Sequence, residues 1–538
     1  MNRKSLTGVV VMIGALAGLA LAVGSNNINS DVPSANPRLG HPANVIASGF
    51  SLRKIAEGSD PLENPSGVIT NFGFLNDAPP HLIERTKTEP DENTYLVFDS
   101  NPGGPTPGYD YGRHFLYQGH ENAAELAYIT RINLDVTDSA HRITLLTPVG
   151  NDGNTHFGSI DGSTWDPFTR TLLFTQERGT SGGIIQLSAG FPAEVKTLDG
   201  ILGKGGYEGI HPDNLGNLLI IEDSGGTSVP VDPANPLSPK NARNPNSFVY
   251  RFVPYNPENL LAGGKLEALQ VSIDGTPLQF VPVDGSHPNG DVFSDAQLKL
   301  HTPGSSWPVR WITVHDTDLL DPDDPQPVAY DANLAAKNAG ATPFKRPENA
   351  QYLPGSGFKS FVFDSTGDTS ANSGNQAALA ARGAWGAIWR VDFNSDNQDG
   401  RLSIIVLGTP EQSSFDNLTF IDPKTILVAE DRGDTLHKQL NALDSIWAYD
   451  VRGDVPNARR FLALGRDTDS EFDAALLDAK TAGFQNEGDN EPTGLFASDG
   501  GSRIQDLIGK PLNPVQTRWF FTQQHGKNTV YEILPVKN

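Results

Sequence analysis

The sequence predicts an all-β fold, a roughly six-bladed β-propeller with loop and short helical insertions. Two observations lead there. The chain carries 55 glycines and 40 prolines and few long amphipathic stretches, which suits short strands joined by many turns. A turn, an apolar strand and a closing acid also recur along it, as in YEGIHPDNLGNLLIIEDSGG (207–226) and FDNLTFIDPKTILVAEDRGD (415–434). The recurrences lie near the ~40–50 residues of a four-stranded blade, or near multiples of that step.

Residues 1–24 read as a secretory signal peptide. Arg3 and Lys4 precede an apolar run, Leu6 to Val23, with Ala20-Leu21-Ala22 as the small-x-small cleavage site. An uncleaved anchor is the rival reading, because the run nears the length that spans a bilayer. Residues 25–40 form a flexible lead-in, and 41–538 a single propeller domain. Within it HFLYQGHE ends on His120-Glu121, TLLFTQE on Gln176-Glu177 and LLIIED on Glu222-Asp223. WITVHD ends on His315-Asp316, FVFD on Asp364, ILVAED on Glu430-Asp431 and WFFTQQH on Gln523-Gln524-His525. Two insertions interrupt the pattern, beside a turn that only partly resembles a calcium loop. Ser228 to Asn246 is Pro- and Asn-rich and reads as a long surface loop or lid. Glu471 to Ala482 is the best helical stretch, and DFNSDNQDG (392–400) reads as a turn.

The chain of 538 residues has no cysteine, so an exported protein of this kind relies on a large core and not on cross-links. Thiol catalysis and thiolate metal sites are excluded. A formal charge of −24 argues against nucleic acid and anionic membrane surfaces as partners. No membrane association is expected once the signal is cleaved, and the protein is expected to be a monomer.

Single acids after strands are usually turn formers or solvated residues, and an Asp-Asn pair often builds an Asx-turn. The repetition points elsewhere. In a propeller, equivalent strand ends converge on one channel, so Glu121, Glu177, Glu222, Asp223, Asp316, Glu430 and Asp431 would form a ring. Crowded carboxylates must bind protons or cations. Oxygen ligands without cysteine suit Ca²⁺, Mg²⁺ or similar ions. His120, His315 and His525 sit near strand ends and could be ligands, but a lone His is more often structural. No HExxH, GxSxG or P-loop motif is present.

FGFLNDAPP, YQGHENA, GKGGYEGIHPDNLGNLLIIEDSGG with NSFVYRFVP, FKRPENAQY, SFDNLTF with ILVAEDRGD, EPTGLFASDG and QQHGKN follow one another over nearly the whole mature chain. In that order these segments resemble the PhoX-type alkaline phosphatases and their secreted relatives. The resemblance implies a six-bladed propeller, export to the periplasm or beyond, and a calcium-plus-iron cluster hydrolysing small phosphate monoesters. It implies that Glu208 binds metal, that Arg346 grips phosphate and that Glu348 binds metal beside it, Arg346 and Glu348 being the catalytic pair. Glu177, Glu222, Asp223, Glu430 and Asp431 match other acids of the cluster, and Asn417 is a further candidate metal ligand. The family's iron-binding cysteine has no counterpart: NTHFGSIDGSTW (154–165) puts Thr155 or His156 there. Calcium is therefore the expected ion, with iron open. A calcium-dependent lactonase of related architecture and a non-catalytic calcium-binding propeller are the alternatives.

Overall fold

The computed structural model describes Val32 and residues 44–73, 88–121, 126–319, 327–451, 457–465, 491–510, 517–524 and 527–536. The signal peptide, most of the lead-in, the helix expected at 471–482 and His525 lie outside these. The described chain is mostly strand, arranged as antiparallel meanders. Their opening strands are β1 (Glu89–Val97), β2 (Ile160–Asp166), β3 (Tyr207–Pro212), β4 (Pro347–Tyr352), β5 (Phe415–Phe420) and β6 (Pro492–Ser498). These opening strands adjoin one another in a closed circuit, β1 to β2 to β3 to β4 to β5 to β6 and back to β1. The result is propeller-like.

The apolar pattern explains the stacking. Leu218–Glu222, the strand paired with β3, is buried throughout. Its Leu218 and Ile220 pack with Leu173, Ile184 and Phe252 toward the β2 meander. Leu219 and Ile221 face the other way, against Ala350, Phe361 and Trp389 of the β4 meander. A strand sandwiched between two sheets has no solvent face, so it reads as a continuous apolar run and not as an alternation. Val428 against Val362 and Ile388, and Leu427 against Phe521, repeat the arrangement around β5.

Two connections depart from simple repetition. The meander opened by β6 takes its fourth strand, Phe50–Ala56, from the N-terminal side of the chain, in register with Thr529–Pro535. The strand Ser306–Asp316 pairs with Gly264–Ile273 on one side and Asp399–Leu407 on the other, fusing the β3 and β4 meanders into one sheet. His315-Asp316 therefore does not end a second strand beside the channel, as the sequence reading expected. His315 stacks on Tyr330, and Asp316 accepts from the Tyr255 hydroxyl and pairs with Lys265 at 3.6 Å, at the outer side of the fused sheet. Among the described residues the helical insertions are short, the longest being Ala332–Ala339 and Gly433–Leu440. Residues 228–246 are held by a small ribbon, Ser228–Val229 against Ala242–Arg243. Among the described residues no helix is long and apolar enough to cross a membrane.

Candidate metal centre

Each opening strand meets its second strand through an irregularity at the same place. The register shifts between Pro90 and Asn93, Ile160 and Ser163, Tyr207 and Ile210, Pro347 and Ala350, Phe415 and Leu418, and Thr493 and Phe496. A bulge re-aims the side chains it contains. Its two residues are Asp91-Glu92, Asp161-Gly162, Glu208-Gly209, Glu348-Asn349, Asp416-Asn417 and Gly494-Leu495. All but the last bring an acid. The glycines permit close approach of neighbouring strands: a Cβ on Gly162 would lie 2.2 Å from the Glu208 carbonyl oxygen, and one on Gly209 would lie 2.6 Å from Asn349 Oδ1.

The second strands contribute through their ends, by a positional rule. The last strand residue is a tie, and the next residue faces the centre. Glu222 accepts from the Phe248 backbone N–H at 3.1 Å, the Tyr250 hydroxyl at 3.0 Å and Asn333 Nδ2 at 3.0 Å. Glu430 accepts from Ser413 N at 3.0 Å, Ser445 N at 3.0 Å and Arg432 Nη2 at 2.6 Å. Both are fully buried and stand outside every close acid grouping found among the described residues. Asp223, Asp431 and Glu177 turn inward instead. The first strand pair follows the rule one position earlier: His120 is tied to Thr88 and Thr130, while Glu121 joins the centre.

The inward acids form linked groups, each with ligand oxygens within 4.8 Å of one another: Asp91, Glu121 and Asp161; Asp161, Glu177 and Glu208; Glu208, Asp223 and Glu348. Asp161 and Glu208 are shared, so three groups make one arc. A further group joins Asp416, Asp431 and Glu491. Beside it, Asn417 Oδ1 accepts from Thr493 and Leu495 N, and its Nδ2 donates to Asp416 at 2.7 Å. Arg346, in the left-handed region at φ 53°, donates from Nε to Asp223 Oδ2 at 2.7 Å, and its Nη2 lies 3.6 Å from Glu348. It is the cation embedded in the arc.

Burial and mutual repulsion dominate the electrostatics. Burial, then the charge of neighbouring acids, raises the carboxyls of Glu121, Asp161, Glu208, Glu348, Asp416 and Glu491 well above their ordinary range. Burial followed by the charge of Asp223 lifts Glu177 to about 8. Asp91 rises to about 6, chiefly by burial and despite hydrogen bonds from Thr493. Asp223 keeps one oxygen, Oδ1, buried and, among the described residues, without a hydrogen-bond partner. An orphaned buried oxygen inside an all-carboxylate arc fits a hard cation. A thiolate-dependent ion fits less well. Thr155 donates to the Ala127 carbonyl oxygen at 2.6 Å, and His156 lies 3.2 Å from Asp152 with an exposed ring.

The sequence reading thus found Glu121, Glu177, Glu208, Asp223, Glu348 and Asp431, which the fold gathers, and missed Asp91, Asp161, Asp416 and Glu491. Two of those four share a signal with two of the acids that were found. IDG (160–162), YEG (207–209), PEN (347–349) and FDN (415–417) each put an acid between a strand-opening residue and a Gly or Asn. That tripeptide is the bulge.

Residues 233–482 match the model of the family Alkaline phosphatase PhoX. The chain is PhoX-like. The structure of Pseudomonas fluorescens PhoX in complex with vanadate, a transition state analogue, shares this fold at a TM-score of 0.54 and 12% identity, covering 95% of this chain and 98% of that one. Two other matches fall to a TM-score of 0.31 and carry no weight beside it. One is the α-L-arabinofuranosidase of Podospora anserina with cellotriose, at 8% identity over 73% of this chain and 95% of that one. The other is a hypothetical selenium-binding protein of Sulfolobus tokodaii, at 10% identity over 82% and 93%. No curated protein matches the chain. At 12% identity, the PhoX-like likeness to a solved structure speaks to the fold.

Proposed function

We propose that this protein is an exported, metal-dependent phosphomonoester hydrolase on a six-bladed propeller, with its active site at the carboxylate arc. The observation that carries the reading is the arc itself: buried acids from separate meanders converge around one arginine, in a chain with a PhoX family match. Asp91, Glu121, Asp161, Glu177, Glu208, Asp223 and Glu348 would hold the ions of the arc, with Asp416, Asp431 and Glu491 holding another. Calcium is the ion that the donor set favours. Bound cations would polarise the phosphoryl oxygens and supply an activated water at neutral pH.

The chain's own groups then have defined tasks. Arg346 presents a planar donor fork to the phosphoryl oxygens, a contact that strengthens as negative charge develops on them. Asp223 and Glu348 hold that fork in place. The bulges fix Asp161, Glu208, Glu348 and Asp416 on strands and not on loops, which limits their drift. Glu92, raised to about 8 mainly by burial, accepts from Ser163 N at 2.6 Å and from Asn349 Nδ2, and so braces β1 against β2 and β4.

A phosphatase assay with Ca²⁺, and with Ca²⁺ plus iron, tests the reading on the wild type, Glu208→Ala and Arg346→Ala. Turnover in the wild type with loss of at least about a hundredfold in both variants is expected, as befits removal of a charge-stabilising group. Equal rates in all three would reject it. The lack of any cysteine favours one second reading, a calcium propeller whose cluster is purely structural. That reading predicts full metal content and no turnover.

A further inference from the structure

Residues 228–246 carry a second guanidinium to the rim of the arc. The ribbon places Arg243 opposite Ser228, and its neighbours Ala242 and Val229 are buried with Val231, Val292 and Ala384, which pins the ribbon in place. The Arg243 backbone N–H donates to Asp368 Oδ1 at 3.1 Å. The same oxygen receives Lys345 Nζ at 3.0 Å, and Lys345 immediately precedes Arg346. Arg243 Nη1 lies only 3.1 Å from where a Cβ on Gly225 would sit, so the guanidinium rests on the turn that follows Asp223. It shares the electrostatic field of Arg346, Asp223, Asp368 and Glu348.

The three cations of this corner are not equivalent. Lys345 is committed to Asp368, and Arg346 to Asp223 and Glu348. Among the described residues, nothing accepts a hydrogen bond from the half-buried Arg243 guanidinium. Two guanidinium groups close together repel, and an anion between them turns that cost into a gain. An arc of carboxylates would otherwise repel an incoming dianion. Resting on the phosphoester-hydrolase reading, we propose that Arg243 is a phosphate-binding residue that works with Arg346 to select phosphomonoester dianions over singly charged diesters. The 228–246 insertion is then part of the substrate site.

The test compares wild type, Arg243→Ala and Arg243→Lys with p-nitrophenyl phosphate as substrate and inorganic phosphate as competitive inhibitor, alongside elemental analysis and thermal melts. Loss of one charge-assisted contact should raise both KM and the phosphate inhibition constant by about ten- to a hundredfold in Arg243→Ala, with metal content unchanged. The preference for p-nitrophenyl phosphate over bis-p-nitrophenyl phosphate should fall with it. Arg243→Lys, keeping the charge without the fork, should recover part of the loss. If Arg243→Ala loses metal or melts early, Arg243→Lys decides: a severalfold rise in the phosphate inhibition constant at full metal content supports the role, and no rise overturns it. An active wild type with unchanged constants in the variants overturns this inference alone. A fully metallated wild type that hydrolyses no phosphomonoester overturns the proposed reaction and this inference together.

Discussion

Glu222 and Asp223 are neighbours, both buried, and chemically alike, yet they answer to different surroundings. Glu222 has its oxygens occupied by Phe248, Tyr250 and Asn333, whereas Asp223 keeps one oxygen open and the other on Arg346. Glu222→Gln should therefore leave bound metal unchanged. It should cost about 1–3 kcal/mol of stability by urea titration, because an amide cannot accept from all the same donors. Asp161→Asn and Asp416→Asn make a second contrast. Asp161 is shared by two groups and Asp416 belongs to one, so elemental analysis should find the greater metal loss in Asp161→Asn. Equal losses would mean that the arc does not act as connected sites.

At the level of the strand, the bulges decide what the site contains. Gly162→Ala would drive a methyl group against the Glu208 carbonyl oxygen, and the neighbouring strands β2 and β3 would have to part. A penalty of about 1–3 kcal/mol from overpacking, with weakened calcium binding in titration calorimetry, is expected. Unchanged affinity would separate strand spacing from ligand geometry. This is also where the sequence was least legible. The second strands announced themselves, since LLIIED and ILVAED end apolar runs on paired acids, and their sandwiched packing explains the unbroken hydrophobicity. The opening strands hid theirs, because a bulge breaks the two-residue period that betrays a strand face. Asp161 and Asp416 look like turn residues until the irregularity is seen. WITVHD misled for the opposite reason: it has the strand-and-acid pattern, but its strand lies at the outer side of two meanders and its acid meets Tyr255.

For the molecule as a whole, the central charge ties stability to both pH and cations. In metal-free protein, Glu177 has a folded value near 8 against an ordinary 4.5. Between those values the unfolded chain has lost the proton that the folded chain retains, so stability falls as pH rises across that window. Asp91 adds to the fall at lower pH, its folded value being about 6 against 3.8. Melting of chelator-treated protein should show Tm declining from about pH 5 to pH 8, and calcium should restore it most at the alkaline end. A flat profile without calcium would contradict the crowding of these acids.

Phe50–Ala56 completes the meander that Thr529–Pro535 belongs to. Nearly the first described strand and the last are thus partners, and the circle cannot shut until those two strands meet. Since the acids converge only in a shut circle, any ions they hold would be those of the medium in which that pairing forms. The place of that last pairing would then act as a filter on metal choice, one step before ligand chemistry has any say.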